Sequence, residues 1–277
     1  MRIAEIFRSL QGEGRLTGVE SVFVRASGCN LRCGFCDTPY ASWSPEGKDL
    51  SVYEILDRIE VILSEAKNLP ICQPLEVRGQ RSEVADQPVD DGSQFTVHSS
   101  QSTAYSLQPT TYSKHVVLTG GEPMLFAELI PLTTALHNAG WHITIETSGT
   151  MYLPVVCDLM SISPKLSNST PPPECNPRWT WRHEANRHCP NVVNRLIAKY
   201  DYQIKFVIDT PADCQEAESY LTSMPQIDRS RVMLMPQGTD PAELASKNQW
   251  LEPYCANHGF IFCPRRHVEW FGTARGK

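Results

Sequence analysis

Cys29, Cys33 and Cys36 stand in the run Gly-Cys-Asn-Leu-Arg-Cys-Gly-Phe-Cys-Asp-Thr, with three residues and then two between them. The spacing gathers three thiols on one short loop and supplies no fourth. A structural zinc site or a simple electron-carrier cluster normally takes four protein ligands and is closed. A cubane iron–sulfur cluster held by three thiolates instead leaves one iron open to a small molecule. A zinc knuckle is the competing reading, its fourth ligand drawn from elsewhere, such as His183 or His188. A disulfide pair is the third. Cys175, Cys189 and His188 offer a second set of metal-type side chains, but without tight spacing they read as loop residues.

Four other polar stretches recur at comparable places. Thr119-Gly120-Gly121-Glu122-Pro123, Glu146-Thr147-Ser148-Gly149, Ser163-Pro164-Lys165 and Met235-Pro236-Gln237-Gly238 each follow an expected strand, as the cysteine loop does. Alone, any of them is a turn. Polar and glycine-rich groups at the carboxyl ends of successive parallel strands converge on one mouth, where barrel enzymes keep their sites.

The elements that must position these loops are legible in outline. Strands are expected over 21–26, 115–118, 142–146, 155–162, 202–208 and 231–235. Helices are expected over 52–64, opened by Ser51 and Glu54 in a capping box, and over 126–138. Two more start with proline at the first position, after Thr210 and after Asp240. The alternation predicts an α/β fold, an incomplete (β/α) barrel with irregular insertions. Residues 66–113 carry no sustained periodicity and read as a flexible insertion; 168–190, with three consecutive prolines, read as an irregular segment where a crossover helix might stand. The whole of 1–277 is expected to form one domain.

Composition narrows the function classes. A chain of 277 residues buries a substantial core, and a net charge of −6 argues against a broad phosphate-binding surface, hence against direct nucleic-acid contact. No apolar run reaches membrane-spanning length, and the N-terminus lacks the layout of a signal peptide. Ten scattered cysteines then read as reduced, cytoplasmic thiols.

The three-cysteine loop followed by Gly-Gly-Glu-Pro resembles the radical S-adenosylmethionine superfamily. More narrowly, Ser9-Leu10-Gln11-Gly12-Glu13-Gly14, Phe23-Val24-Arg25, Gly28-Cys29-Asn30-Leu31 and Cys36-Asp37-Thr38 are similar to the 7-carboxy-7-deazaguanine synthases, with His267 and Trp270-Phe271-Gly272 extending the match. The resemblance implies a [4Fe-4S] cluster on Cys29, Cys33 and Cys36, whose open iron chelates S-adenosylmethionine. One-electron reduction then yields a 5′-deoxyadenosyl radical. That radical starts the ring contraction of 6-carboxy-5,6,7,8-tetrahydropterin to 7-carboxy-7-deazaguanine, with loss of ammonia, in the route to queuosine and related 7-deazapurines. It further implies Mg2+ at the Thr38 hydroxyl, a one-electron donor such as a flavodoxin-type protein, and a homodimer.

The same resemblance distributes roles. Phe35, Cys36, Asp37, Gly121, Glu122, Ser163, Lys165, Met235 and Gln237 fall to the nucleotide cofactor, with Phe35 stacking on adenine, Gly120 and Gly121 admitting close backbone approach, and Glu122 near the ammonium. Leu10, Gln11, Gly12, Glu13, Arg25, Thr119, His267 and the terminal carboxylate of Lys277 fall to the pterin. Glu13 suits the guanidine-like edge of the substrate and Arg25 its carboxylate, although an internal ion pair is the plain alternative for Arg25. Two rival functions stay open at this level: a glycyl-radical activating enzyme, which shares the cysteine spacing, and a zinc-dependent binding module.

Overall fold

The computed structural model describes residues 1–66, 114–272 and 274–276. The chain opens with a strand absent from the sequence expectation, β1 (Arg2–Leu10), which runs antiparallel to β2 (Glu20–Ala26). A four-residue helix α1 (Pro39–Ser42) closes the cysteine loop, and β3 (Lys48–Asp49) pairs with the outer edge of β1. Helix α2 (Val52–Ala66) follows, its Ser51 and Glu54 joined in the expected reciprocal cap. The expected insertion, apart from Ala66, lies outside the described residues.

Beyond it come β4 (His115–Gly120), α3 (Leu129–Asn138), β5 (His142–Thr147) and β6 (Leu159–Ile162). Helix α3 starts three residues later than expected, because Phe126 is extended at the end of a short 3-10 turn. Strand β6 also starts late. The Val156 N–H is taken by the Thr133 hydroxyl rather than by a neighbouring strand, so 155–158 stay outside the sheet.

The segment 168–190 is corrected in part. It contains α4 (Pro177–Arg187), capped by the Asn176 side chain on the Arg178 N–H with proline at the first position, and α5 (Pro190–Lys199) follows at once. Then come β7 (Tyr202–Ile208), α6 (Pro211–Ser223), β8 (Val232–Pro236), α7 (Pro241–His258), β9 (Ile261–Phe262) and α8 (Arg266–Phe271). The Pro-initiated α6 and α7 start where Thr210 and Asp240 predict.

The nine strands among the described residues form one open sheet in the order β3-β1-β2-β4-β5-β6-β7-β8-β9, parallel from β2 onward. This is the incomplete α/β barrel expected from the alternation. Side chains alternate across it with period two. Val22, Val24, Val116, Leu118, Ile143, Ile145, Ile204, Phe206 and Ile208 join the buried core beneath the helices. The intervening positions, including Arg25, Thr119, Glu146, Ser161 and Lys205, face the inner side and line a cavity. In the strands from β4 to β8 the fold thus turns one face into core and gives the other to the cavity. No helix among the described residues is long and apolar enough to cross a membrane.

Candidate functional site

A cavity of about 370 Å³ opens at the carboxyl ends of the parallel strands, lined by residues from the first strand to the last helix. Cys29, Cys33 and Cys36 line one side of it, and Gln11, Glu13 and His267 are among those that line it too.

The cysteine loop is clamped by backbone. The Gly121 and Glu122 N–H groups donate to Ala26 and Gly28 carbonyls at 3.0 and 2.8 Å, and Gly34 N–H donates to Ser169 at 2.9 Å. A Cβ on Gly121 would lie 2.1 Å from the Gly28 carbonyl oxygen, and one on Gly120 2.1 Å from that of Ala26. Glycine is therefore needed for the two loops to touch, independently of any ligand. The Asn30 side chain adds a 3.0 Å bond to the Thr150 hydroxyl.

Burial pushes the Cys29 thiol up to about 12 and Cys33 to about 11, so neither ionises near neutrality without a cation to bind. The Leu31 N–H donates to Cys29 Sγ at 3.4 Å, and Cys36 Sγ shares a hydrogen bond with the Ser42 hydroxyl at 3.1 Å. No three His, Cys, Asp or Glu side chains among the described residues converge as a single metal ion requires. Thiols that share a cavity wall without meeting at one point suit a multi-iron cluster, which takes one thiolate per iron.

The zinc-knuckle expectation fails on the same residues. His183 Nδ1 accepts the Arg32 N–H at 3.2 Å and its Nε2 meets Ser169 Oγ at 2.9 Å, which leaves no ring nitrogen for a metal. His188 packs edge-on against Tyr220 instead, at 5.4 Å between ring centres. Cys175 and Cys189 join no metal-type cluster among the described residues either.

The expected pterin residues Leu10, Gln11, Gly12, Glu13, Arg25, Thr119 and His267 all line the cavity. Gly12 is pressed against α8, where an added Cβ would fall 2.5 Å from that of His267. Arg25 forms the internal pair named as its alternative, Nε to Glu5 Oε1 at 2.6 Å, while its terminal guanidinium nitrogens make no hydrogen bond among the described residues. Tyr40 shares that Glu5 oxygen at 2.7 Å, and Arg275 reaches the other at 3.3 Å. Lys277 lies outside the described residues.

Phe35, Cys36, Asp37, Thr38, Gly121, Ser163, Lys165 and Met235 also line the cavity. Lys165 is no free surface lysine: its Nζ is held by the Ser163 carbonyl and hydroxyl at 2.9 and 2.8 Å. The Thr38 hydroxyl makes no cap hydrogen bond to α1. Asp37 pairs with the Arg265 guanidinium.

Two residues expected at the cofactor are engaged elsewhere in this structure. Glu122 is fully buried behind the cavity, its carboxylate accepting from Met124 N–H, Thr147 Oγ1, Ser148 N–H and Ser148 Oγ at 3.1, 2.8, 2.9 and 2.5 Å. It ties the loops after β4 and β5 together and has no acceptor position left for an ammonium. Gln237 lies off the cavity lining and binds Lys247 Nζ through its side-chain oxygen at 3.1 Å.

Glu146, expected at the mouth without an assigned role, lines the cavity together with Lys205 and Arg265, which the sequence had not singled out. Glu146 accepts from Thr119 Oγ1 at 2.8 Å and Gln11 Nε2 at 3.2 Å. Lys205 Nζ donates to Glu13 Oε2 at 2.7 Å, and the buried Arg265 spans Glu13 and Asp37. Burial alone would raise the Glu13 carboxyl, but the fields of Lys205 and Arg265 outweigh it and hold the group well below the usual carboxylate range. Burial keeps His267, 3.6 Å from Glu13, below its ordinary value and so neutral near pH 7. A lysine inside an apolar strand run was the available signal; the partners were not, being distant in sequence.

A scan against family models finds no match. The 7-carboxy-7-deazaguanine synthase of Rhodopirellula baltica is 38% identical over 275 residues, covering 99% of this chain and 88% of the relative. That of Halobacterium salinarum is 36% identical over 281 residues, covering 98% and 91%. Among solved structures, QueE from Escherichia coli superposes with a TM-score of 0.57 at 21% identity, over 96% of this chain and 94% of that one, a likeness of fold. The chain belongs to the 7-carboxy-7-deazaguanine synthase family.

Proposed function

We propose that this chain converts 6-carboxy-5,6,7,8-tetrahydropterin to 7-carboxy-7-deazaguanine with loss of ammonia. The observation that carries the reading is one cavity lined both by three cysteine thiols and by a fixed set of charges, Glu13, Glu146, Lys205 and Arg265. When bound at Cys29, Cys33 and Cys36, a [4Fe-4S] cluster with S-adenosylmethionine supplies the one-electron chemistry that starts the ring contraction.

The chain's own residues bind and orient. Glu13 stays ionised and offers acceptors to the donor-rich pyrimidine edge of the pterin. Arg25, steadied through Nε by Glu5, keeps its outer fork for the substrate carboxylate. Thr119 and Gln11 fix Glu146 beside them. Phe35, Asp37, Gly121, Ser163, Lys165 and Met235 are assigned to the nucleotide and methionine parts of the cofactor, a role supported by their shared place on the cavity wall.

Mg2+ is assigned to Thr38, supported by a cavity-lining hydroxyl not engaged in capping. Magnesium takes few protein ligands and uses substrate oxygens readily. A flavodoxin-type electron donor, a homodimer, a cytoplasmic setting and a single domain complete the reading on family membership.

An oxygen-free assay with the tetrahydropterin, S-adenosylmethionine and a reductant, read by mass spectrometry, tests it. The expected product is 7-carboxy-7-deazaguanine. Cofactor cleavage without a pterin product overturns the substrate assignment.

A further inference from the structure

Strand β7 carries one charged side chain in a run otherwise suited to burial, Tyr-Gln-Ile-Lys-Phe-Val-Ile. Ile204, Phe206 and Ile208 pack beneath the helices, so the strand's alternation turns Lys205 inward. Its side chain is 5% exposed, a depth at which lysine needs ionised partners. Two carboxylates from different elements provide them: Glu13 Oε2 at 2.7 Å, from the loop between β1 and β2, and Glu146 Oε1 at 3.8 Å, from β5.

The two contacts are unequal. Only Glu13 is within hydrogen-bond reach of Lys205, which among the described residues is the cation nearest to that carboxylate, at 2.7 Å against 3.4 Å for Arg265. Arg265 Nε lies 3.4 Å from Glu13 Oε1 and makes no hydrogen bond among the described residues. His267 faces the same oxygen uncharged, Cys263 lies near Lys205, and Asp37 draws Arg265 toward the cysteine loop. Lys205 thus stands between two carboxylates that would otherwise repel one another across a poorly hydrated wall.

Resting on the function proposed above, we propose that Lys205 is a positioning residue for substrate selection. It holds the Glu13 and Glu146 side chains on one wall as acceptors, so that the pocket accepts a 2-amino-4-oxo heterocycle and rejects its 2-oxo counterpart. The 2-amino edge presents adjacent N–H donors. A 2-oxo group would turn a lone pair toward a carboxylate and leave that carboxylate unpaired, the kind of mismatch that discriminates most strongly.

The test uses cluster-loaded protein and anaerobic calorimetry with S-adenosylmethionine, the 6-carboxy-tetrahydropterin and its 2-oxo analogue. Lys205→Met is expected to weaken pterin binding by about tenfold or more, since one charge-assisted contact is lost from Glu13. Binding of S-adenosylmethionine should stay within about twofold, a margin set by independence of separate sites. The pterin deficit should shrink as pH rises from about 6.5 to 8.5, because Glu13 without Lys205 must regain its charge, whereas the unaltered protein should show no such trend. Preference for the pterin over the 2-oxo analogue should fall, and Lys205→Arg should restore part of it.

Glu13→Gln combined with Lys205→Met removes a buried charge along with its partner, so neither member of the pair is left unpaired. That pair should bind the pterin no more weakly than Glu13→Gln alone, because Lys205 acts through Glu13. Additive losses, an undiminished Lys205→Met, or equal losses for pterin and S-adenosylmethionine overturn the assignment. Absence of pterin binding by the unaltered chain overturns the functional reading as well.

Discussion

His183 Nδ1 accepts the backbone N–H of Arg32 at 3.2 Å, so a helix 151 residues downstream holds the middle of the cysteine loop. The contact fixes the ring's protonation. With Nδ1 accepting, Nε2 carries the hydrogen and donates to Ser169 Oγ, which itself donates to the Leu166 carbonyl at 2.6 Å. Above the loop, Arg32 lies 4.2 Å over the Trp179 ring and sends Nη1 to the Cys29 and Leu31 carbonyls, both at 2.7 Å. Helix α4 is thereby the outer brace of the metal-binding loop.

His183→Phe should leave a buried N–H unpaired and cost about 1–3 kcal/mol, read as a lower urea midpoint. Burial lowers the His183 value from 6.5 to about 4. The folded chain therefore binds fewer protons than the unfolded chain between those values. The contribution of the neutral ring is complete above 6.5 and is lost as pH falls toward 4. Cluster-free protein should lose stability across that window, and His183→Phe should lack that component; identical pH slopes for the two proteins would remove His183 from the account.

Glu122 separates a structural role from a ligand role. Replacing it with Gln puts an amide donor where two hydroxyls and two N–H groups now donate. The expected result is a loss of about 2–3 kcal/mol in stability, measured by chemical denaturation, with S-adenosylmethionine affinity changed less than stability. A tenfold or greater loss of that affinity at unchanged stability would return Glu122 to the cofactor.

Arg25→Ala removes the proposed carboxylate fork while Glu5 keeps Tyr40 and Arg275. Steady-state kinetics should show KM for the pterin raised by roughly ten- to a hundredfold, the size of a charged hydrogen-bonded contact. Equal KM values would reduce Arg25 to the partner of Glu5.

Thr38→Val keeps the shape of the side chain and deletes the hydroxyl. The rate should become insensitive to added magnesium, titrated after chelation. A variant as dependent on the ion as its parent would move the ion elsewhere.

The cysteine loop was legible because its geometry is set within eight residues of chain, and the strand-end loops because each follows its own strand. Strand β1 was missed since most of its side chains are only half-buried, blurring the alternation that marks a strand. Helix α4 was missed because prolines precede it and charged or polar side chains dominate it; His183 is its one fully buried residue. Glu122 was assigned to the cofactor because a Gly-Gly-Glu-Pro turn reads as a ligand loop; three of its four donors come from Thr147 and Ser148 at the end of β5, and the fourth from Met124 in its own turn. Lys205 and Arg265 meet Glu13 across 192 and 252 positions, pairings that no local pattern encodes.

The Arg266 N–H donates to the Gly12 carbonyl at 3.0 Å, stitching the first loop of the chain to its last helix. During synthesis, then, the thiol loop and its α4 brace leave the ribosome before the Arg266 bond to Gly12 can close the wall that carries Glu13. A nascent chain halted ahead of Arg265 would already own its iron ligands yet lack the seam that shapes the binding chamber. The thiol loop and the seam that closes the pocket are thus far apart in chain order, the loop first and the seam last.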